Sequence, residues 1–148
     1  MAQLTSLEKQ LAGQQALARR LIEVADQGRL ASSLLFVGSP GVERKAVALS
    51  LIQFMLCENK GVSQACGRCP SCQRVAKEQS EALLVLKPES GVIKLEQAQG
   101  AIRFFSFEKL SRSRFVVIEE AQSLNQQAAN ALLKVVEEPP EGSYFIFI

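Results

Sequence analysis

Hydrophobic positions change their period several times along the chain, and each change marks an element. Leu4, Leu7 and Leu11, and after them Leu17, Leu21 and Val24, recur at spacings of three and four, the repeat of an amphipathic helix. The two sets slip in phase near Gly13. This predicts a break or kink inside a helical stretch over 4–27, and Gly28 supplies the stop. Ser33 to Val37 is a short apolar run closed by Gly38, as suits a buried parallel strand. Ala46, Leu49, Ile52 and Leu56 give an apolar side to a helix over about 43–56.

A cysteine-rich interruption occupies 57–72, followed by a short helix over 72–79. A second buried strand is predicted at 82–86, a polar turn segment at 87–91, and mostly helix from 95 to 110. Phe115 to Ile118 reads as a third strand, ended by Glu119 and Glu120. Ser123, with Gln126 three residues on, reads as a capping box opening a helix to about Glu138, where Pro139 and Pro140 end it. Tyr144 to Ile148 is a fourth apolar strand. Strands alternating with helices predict an α/β domain with a parallel sheet. A last strand with neither closing turn nor polar tail suggests a C-terminally truncated piece of a longer protein.

Composition narrows the functional classes. The chain has 148 residues, enough for one domain with a real core. Its net charge of +2 does not mark a general nucleic-acid binder, and no dense basic patch is visible. Met1 to Gln10 carry no secretory-type apolar core, and no apolar run approaches the roughly 18 residues that cross a bilayer. The expectation is a cytoplasmic protein without membrane contact, whose cysteines are not to be read first as disulfides.

All four cysteines fall in one cluster, Cys57-x8-Cys66-x2-Cys69-x2-Cys72. Four thiolates are the ligand set that tetrahedral zinc prefers, and Gly67 and Pro70 give the tight turns that let them converge. The chain has no His, so a mixed Cys/His set is excluded. A closed four-thiolate site leaves no place for water, which makes the zinc structural. A redox dithiol, an iron–sulfur cluster and a group of reduced buried thiols are the alternatives.

Gly38-Ser39-Pro40-Gly41 stands between a strand and a helix, where a phosphate loop belongs. Set against G-x-x-x-x-G-K-[ST] from Gly38, the pattern puts Glu43 at the second glycine, Arg44 at the lysine and Lys45 at the hydroxyl position. Glu43 adds bulk and a like charge where phosphate approaches, Arg44 is wide and planar, and Lys45 offers magnesium no hydroxyl. A shift by one residue brings Lys45 to the lysine position but puts Ala46 where the hydroxyl is needed. Both registers predict little or no hydrolysis; a plain strand-to-helix turn holding two glycines is the rival. Glu119 and Glu120 lie where phosphate-loop ATPases keep the acids for magnesium and the attacking water, though Glu replaces the usual Asp first. Two acids can also be no more than a solvated strand exit. The nucleotide-site candidates are thus Gly38, Gly41, Arg44, Lys45, Glu119 and Glu120.

The run from Asn130 to Pro140 (NALLKVVEEPP) resembles the corresponding helix of bacterial DNA polymerase III clamp-loader subunits. Val117-Ile118-Glu119-Glu120-Ala121, Gly28-Arg29-Leu30 and the cysteine module after the phosphate-loop helix are similar to that family as well. The resemblance spans about 17–148 and implies an AAA+ type domain over 1–148, with the zinc module inserted at 57–72 and lid and collar absent. The departures at Glu43, Arg44 and Lys45 favour the delta-prime kind.

The resemblance implies a non-catalytic, stator-like subunit that helps load the sliding clamp on primed DNA. Its partners would be the delta and gamma/tau subunits, its metal zinc, and its nucleotide site open to being empty. It further implies a strand order 5-1-4-3-2, with the fifth strand and a Ser-Arg-Cys arginine-finger motif beyond Ile148. The edge near Leu34 to Val37 would then be covered by another chain. An active ATPase of the gamma/tau type, and a zinc-stapled interaction module outside replication, are the other functional readings.

Overall fold

A computed structural model describes residues 13–39, 43–61, 64–107 and 112–148. The described chain divides into two compact units. One holds the residues before Ala31 together with Val37–Ser80; the other holds Ala31–Phe36 and Glu81–Ile148.

The second unit carries a four-stranded, all-parallel sheet built from β1 (Ser33–Leu35), β2 (Leu83–Leu86), β3 (Arg114–Ile118) and β4 (Ser143–Phe147). The order is β1-β4-β3-β2, in accord with the four strands of the implied order. Strand β3 aligns Phe115 with Tyr144 and Leu83, and Ile118 with Phe147 and Leu86. All five residues of β3 are buried, which explains its unbroken apolar run: a central parallel strand has no solvent face. Strand β1 lies at one edge; Leu35, its last residue, and Val37, two residues on, are exposed, at 68% and 81%.

Two helices of this unit, α4 (Leu95–Ser106) and α5 (Gln126–Glu137), pack on each other. Ala98, Ala101 and Phe105 of α4 and Ala128 and Leu132 of α5 form one core with Val116, Ile118 and Phe145. Phe105 meets Phe145 edge-on, with ring centroids 5.0 Å apart. The polar segment after β2 turns through Ser90 and Gly91, both at positive φ, and closes a bridge between Glu89 and Val92. Two successive left-handed residues make the primed turn of a tight hairpin, and Gly takes one of them without strain.

In the first unit, α1 (Gln15–Asp26) ends as its sequence requires. Gly28 (φ +66) closes a Schellman motif: Gly28 N–H donates to the Ala25 carbonyl and Arg29 N–H to that of Val24, both at 3.0 Å. The earlier part of the predicted helix, Leu4 to Leu11, lies outside the described residues. Helix α2 (Arg44–Leu56) differs from its predicted one-sided form. Ala46 to Leu49 and Leu51 to Phe54 are all buried, so the helix is enclosed around most of its girth between α1 and α3 (Pro70–Ala76).

Several boundaries differ from the sequence expectation. Strand β1 stops at Leu35 instead of Val37 and, lying at the sheet edge, is not the buried strand its apolar run predicts. Helix α3 starts at Pro70 instead of Cys72, because Cys69 Sγ caps it and Pro70 suits the first helical turn. Helix α4 stops at Ser106, with Phe107 already extended. The capping box at Ser123 is not formed: Ala121–Ser123 is a 3-10 turn, and the cap is Asn125, whose Oδ1 accepts from Ala128 N–H at 2.8 Å.

Candidate metal centre and the altered phosphate loop

The four cysteine sulfurs lie within 4.8 Å of one another, and none is in a disulfide. A tetrahedral site with metal–sulfur bonds near 2.3 Å separates its sulfurs by about 3.8 Å, so a small contraction would seat an ion here. Main-chain N–H groups already point at the sulfurs. Cys66 N–H donates to Cys57 Sγ and Cys69 N–H to Cys66 Sγ, both at 3.3 Å, and Cys72 N–H donates to Cys69 Sγ at 3.4 Å. Gly67, at φ +67, makes the turn between the second and third cysteines. A short antiparallel bridge between Gly61 and Gln64 brings Cys66 back toward Cys57.

The electrostatics of the cluster are graded. N–H donation from Arg68 and Cys69 stabilises a thiolate at Cys66 and lowers its pKa from 9.0 to about 6. Burial pushes Cys57 up, against the N–H bond from Cys66, and burial pushes Cys72 well up. Cys57, Cys69 and Cys72 are buried and Cys66 is half-buried. Burial with convergent soft sulfurs suits a closed metal centre: a cation would relieve the unfavourable thiolates and leave no site for a reactant.

The nucleotide-site candidates fall in both units. Gly38 is exposed, and Gly41 lies outside the described residues. Glu43 precedes α2 without capping it through its side chain, and Arg44 is the first helical residue. Lys45 forms an ion pair with Glu78, just past the end of α3. Glu78 stands at φ +56 in another Schellman closure, with Gln79 N–H donating to the Arg74 carbonyl at 2.8 Å. A non-glycine residue there carries strain of about 1 kcal/mol, and here its carboxylate meets Lys45. Glu119 lies 3.8 Å from the Lys87 ammonium, and Glu120 is exposed and left-handed at φ +51. Gly38, Arg44 and Lys45 belong to the first unit, and Glu119 and Glu120 to the second. Within the first unit, the four cysteines are the predicted residues that converge on one point.

A family model described as DNA polymerase III, delta subunit, matches residues 13–148, nearly the whole chain. This chain is a member of the DNA polymerase III clamp-loader family, and it is delta-prime-like. It is 32% identical over 131 residues to DNA polymerase III subunit delta' of Yersinia pestis, covering 86% of this chain and 38% of that protein. It is 31% identical over 132 residues to the delta' subunit of Escherichia coli, covering 85% and 39%. The gamma/tau subunit of Mycobacterium bovis is 30% identical over 142 residues, covering 93% of this chain and 24% of that protein. The chain thus spans less than two-fifths of the length of these clamp-loader relatives. In fold it is similar to a gamma subunit-related protein of Thermotoga maritima, at a TM-score of 0.57 and 20% identity over 89% of this chain and 38% of that one. Among the described residues, no helix is long and apolar enough to cross a membrane.

Three residues with clear structural roles were not singled out from sequence. Gln53 is buried on α2 and donates to the Cys72 carbonyl at 2.8 Å. Its polarity inside an otherwise apolar run was the available signal. Glu78 takes Lys45, and nothing in a polar stretch distinguishes it from its neighbours. Arg114 opens β3, where a lone cation before an apolar run carried no signal. Its guanidinium is buried and donates to the carbonyls of Phe104 and Phe105 at 2.5 Å and of Phe107 at 3.0 Å. It closes the C-terminus of α4, where the helix carries partial negative charge.

Proposed function

We propose that this chain is the nucleotide-binding-type part of a delta-prime subunit, a non-catalytic stator in the clamp loader. It would act with delta and gamma/tau subunits to place the sliding clamp on primed DNA. Zinc on Cys57, Cys66, Cys69 and Cys72 would be its structural metal. The observation that carries the non-catalytic part is the ion pair between Lys45 and Glu78. Lys45 is the cation that the shifted register offers to phosphate, and an internal carboxylate already holds it. Neither register supplies a hydroxyl for magnesium, since Lys45 or Ala46 stands in that place. Gly38, Gly41, Arg44, Lys45, Glu119 and Glu120 on this reading are the remains of a nucleotide site.

The gamma/tau-type ATPase is the second reading, favoured by the mycobacterial gamma/tau relative that matches more of this chain than the delta' relatives do. Magnesium-dependent ATP turnover by the purified chain separates the two. The stator reading expects none. Turnover that disappears in Glu120→Gln would establish the ATPase instead. Metal analysis of protein purified without chelators should find stoichiometric zinc, and its absence would remove the structural-zinc part alone.

A further inference from the structure

Helix α2 contains one buried polar side chain among its described residues, Gln53, which is 5% exposed between Ile52 and Phe54. Burying an amide in an apolar setting is unfavourable unless it is hydrogen-bonded, so its partner indicates what it does. The partner is Cys72, itself fully buried and the last cysteine of the cluster. Gln53 Nε2 donates to the Cys72 main-chain carbonyl at 2.8 Å. In return, Cys72 Sγ lies 4.0 Å from the Gln53 main-chain carbonyl. One residue of α2 therefore meets Cys72 at both its backbone and its sulfur.

We propose that Gln53 is the positioning residue of the cysteine site, tying Cys72 to α2 so that metal loading is coupled to the order of that helix. The proposal rests on the metal reading given above. The carboxamide bond goes to the Cys72 main chain, so it ties Cys72 to α2 while leaving the sulfur available as a ligand. Groups behind the ligands fix their orientation and hence the affinity of the site.

Gln53→Met keeps side-chain length and helix propensity but has no donor. Chelator competition on the whole chain should show metal affinity falling about 10–100-fold. The cobalt-substituted variant should keep the thiolate charge-transfer band of a four-sulfur site, because no ligand is lost. Gln53→Glu, with an acceptor in place of the donor, should lose affinity likewise. If either variant fails to fold, amide exchange on the wild-type chain still decides: the amides of Leu51 to Cys57 should exchange faster once metal is withdrawn. Affinity within twofold of wild type, or wild-type exchange indifferent to metal, would overturn the proposal while leaving the metal reading intact. A wild-type chain that binds neither zinc nor cobalt would overturn both.

Discussion

In the sheet unit, order comes from apolar area. Phe115, Val116, Val117, Ile118, Phe145 and Ile146 are fully buried on two adjacent strands, and the helices beside them add alanines that permit close approach. In the unit that holds the cysteines, the stretch from Cys57 to Cys72 contains little with which to build a core. Its cluster consists of three buried cysteines with Ala65 and Cys66 against them. A region with so little apolar surface is not held by burial alone, and coordination can take over that role. The contrast teaches that two neighbouring parts of one chain can answer to different variables: side-chain volume in one, metal and protons in the other.

The largest expected effect tests the second half of that contrast. Cys72→Ser should abolish stoichiometric metal binding and disorder residues 57–77, with a loss on the scale of structural zinc sites, about 10 kcal/mol of apparent binding energy. Metal analysis and amide exchange would read it, and exchange in the sheet should hardly move. Acid should act in the same direction, since protons compete with metal for sulfur. In the metal-free chain the signs divide. The contribution of Cys66 is fully present above its ordinary 9.0, declines as pH falls, and is gone below about 6. Burial of Cys57 and Cys72 has no effect while both states hold thiols, and lowers stability once pH rises past the ordinary value.

Phe145→Ala tests the first half. Removing a fully buried ring that packs on Phe105 should lower stability by about 3–5 kcal/mol in denaturant titration and leave metal content unchanged. Arg114→Met should come next, at about 2–4 kcal/mol. It leaves the carbonyls of Phe104, Phe105 and Phe107 without their charged donor, and faster amide exchange at the end of α4 would localise the effect. The smallest is a pair. Asn125→Ala should lower stability by about 1 kcal/mol, and Ser123→Ala should change it by less than half as much. Equal effects would return the cap to Ser123. A sheet mutant that released metal, or a cysteine mutant that unfolded the sheet, would break the contrast itself.

Much of this was legible in the residues. The apolar runs at Leu83–Leu86 and Phe115–Ile118 announced strands because buried parallel strands tolerate no polar face. The cysteine spacing announced a cluster because few other arrangements use four thiols so close together. The capping of α5 was misread because Ser123 and Asn125 are both good caps, and pattern alone does not decide which one the 3-10 turn leaves free. The end of α4 lies earlier than its sequence predicts because Arg114, on the following strand, terminates it. Long-range ties such as Gln53 with Cys72 and Lys45 with Glu78 join separate helices, and no local period encodes them.

The strand order has a consequence in time. Strand β1 pairs with β4, Ser33 with Phe145, across more than a hundred intervening residues, while the cysteines lie within one short stretch. Contacts between distant segments form slowly, and local ones form early. On a ribosome, the cysteine segment can therefore close while Leu34 and Leu35 still wait for Ile146 and Phe147 to emerge. During that wait the nascent chain exposes an unpaired apolar strand, so any shortage of folding assistance should be felt first at Ser33–Leu35.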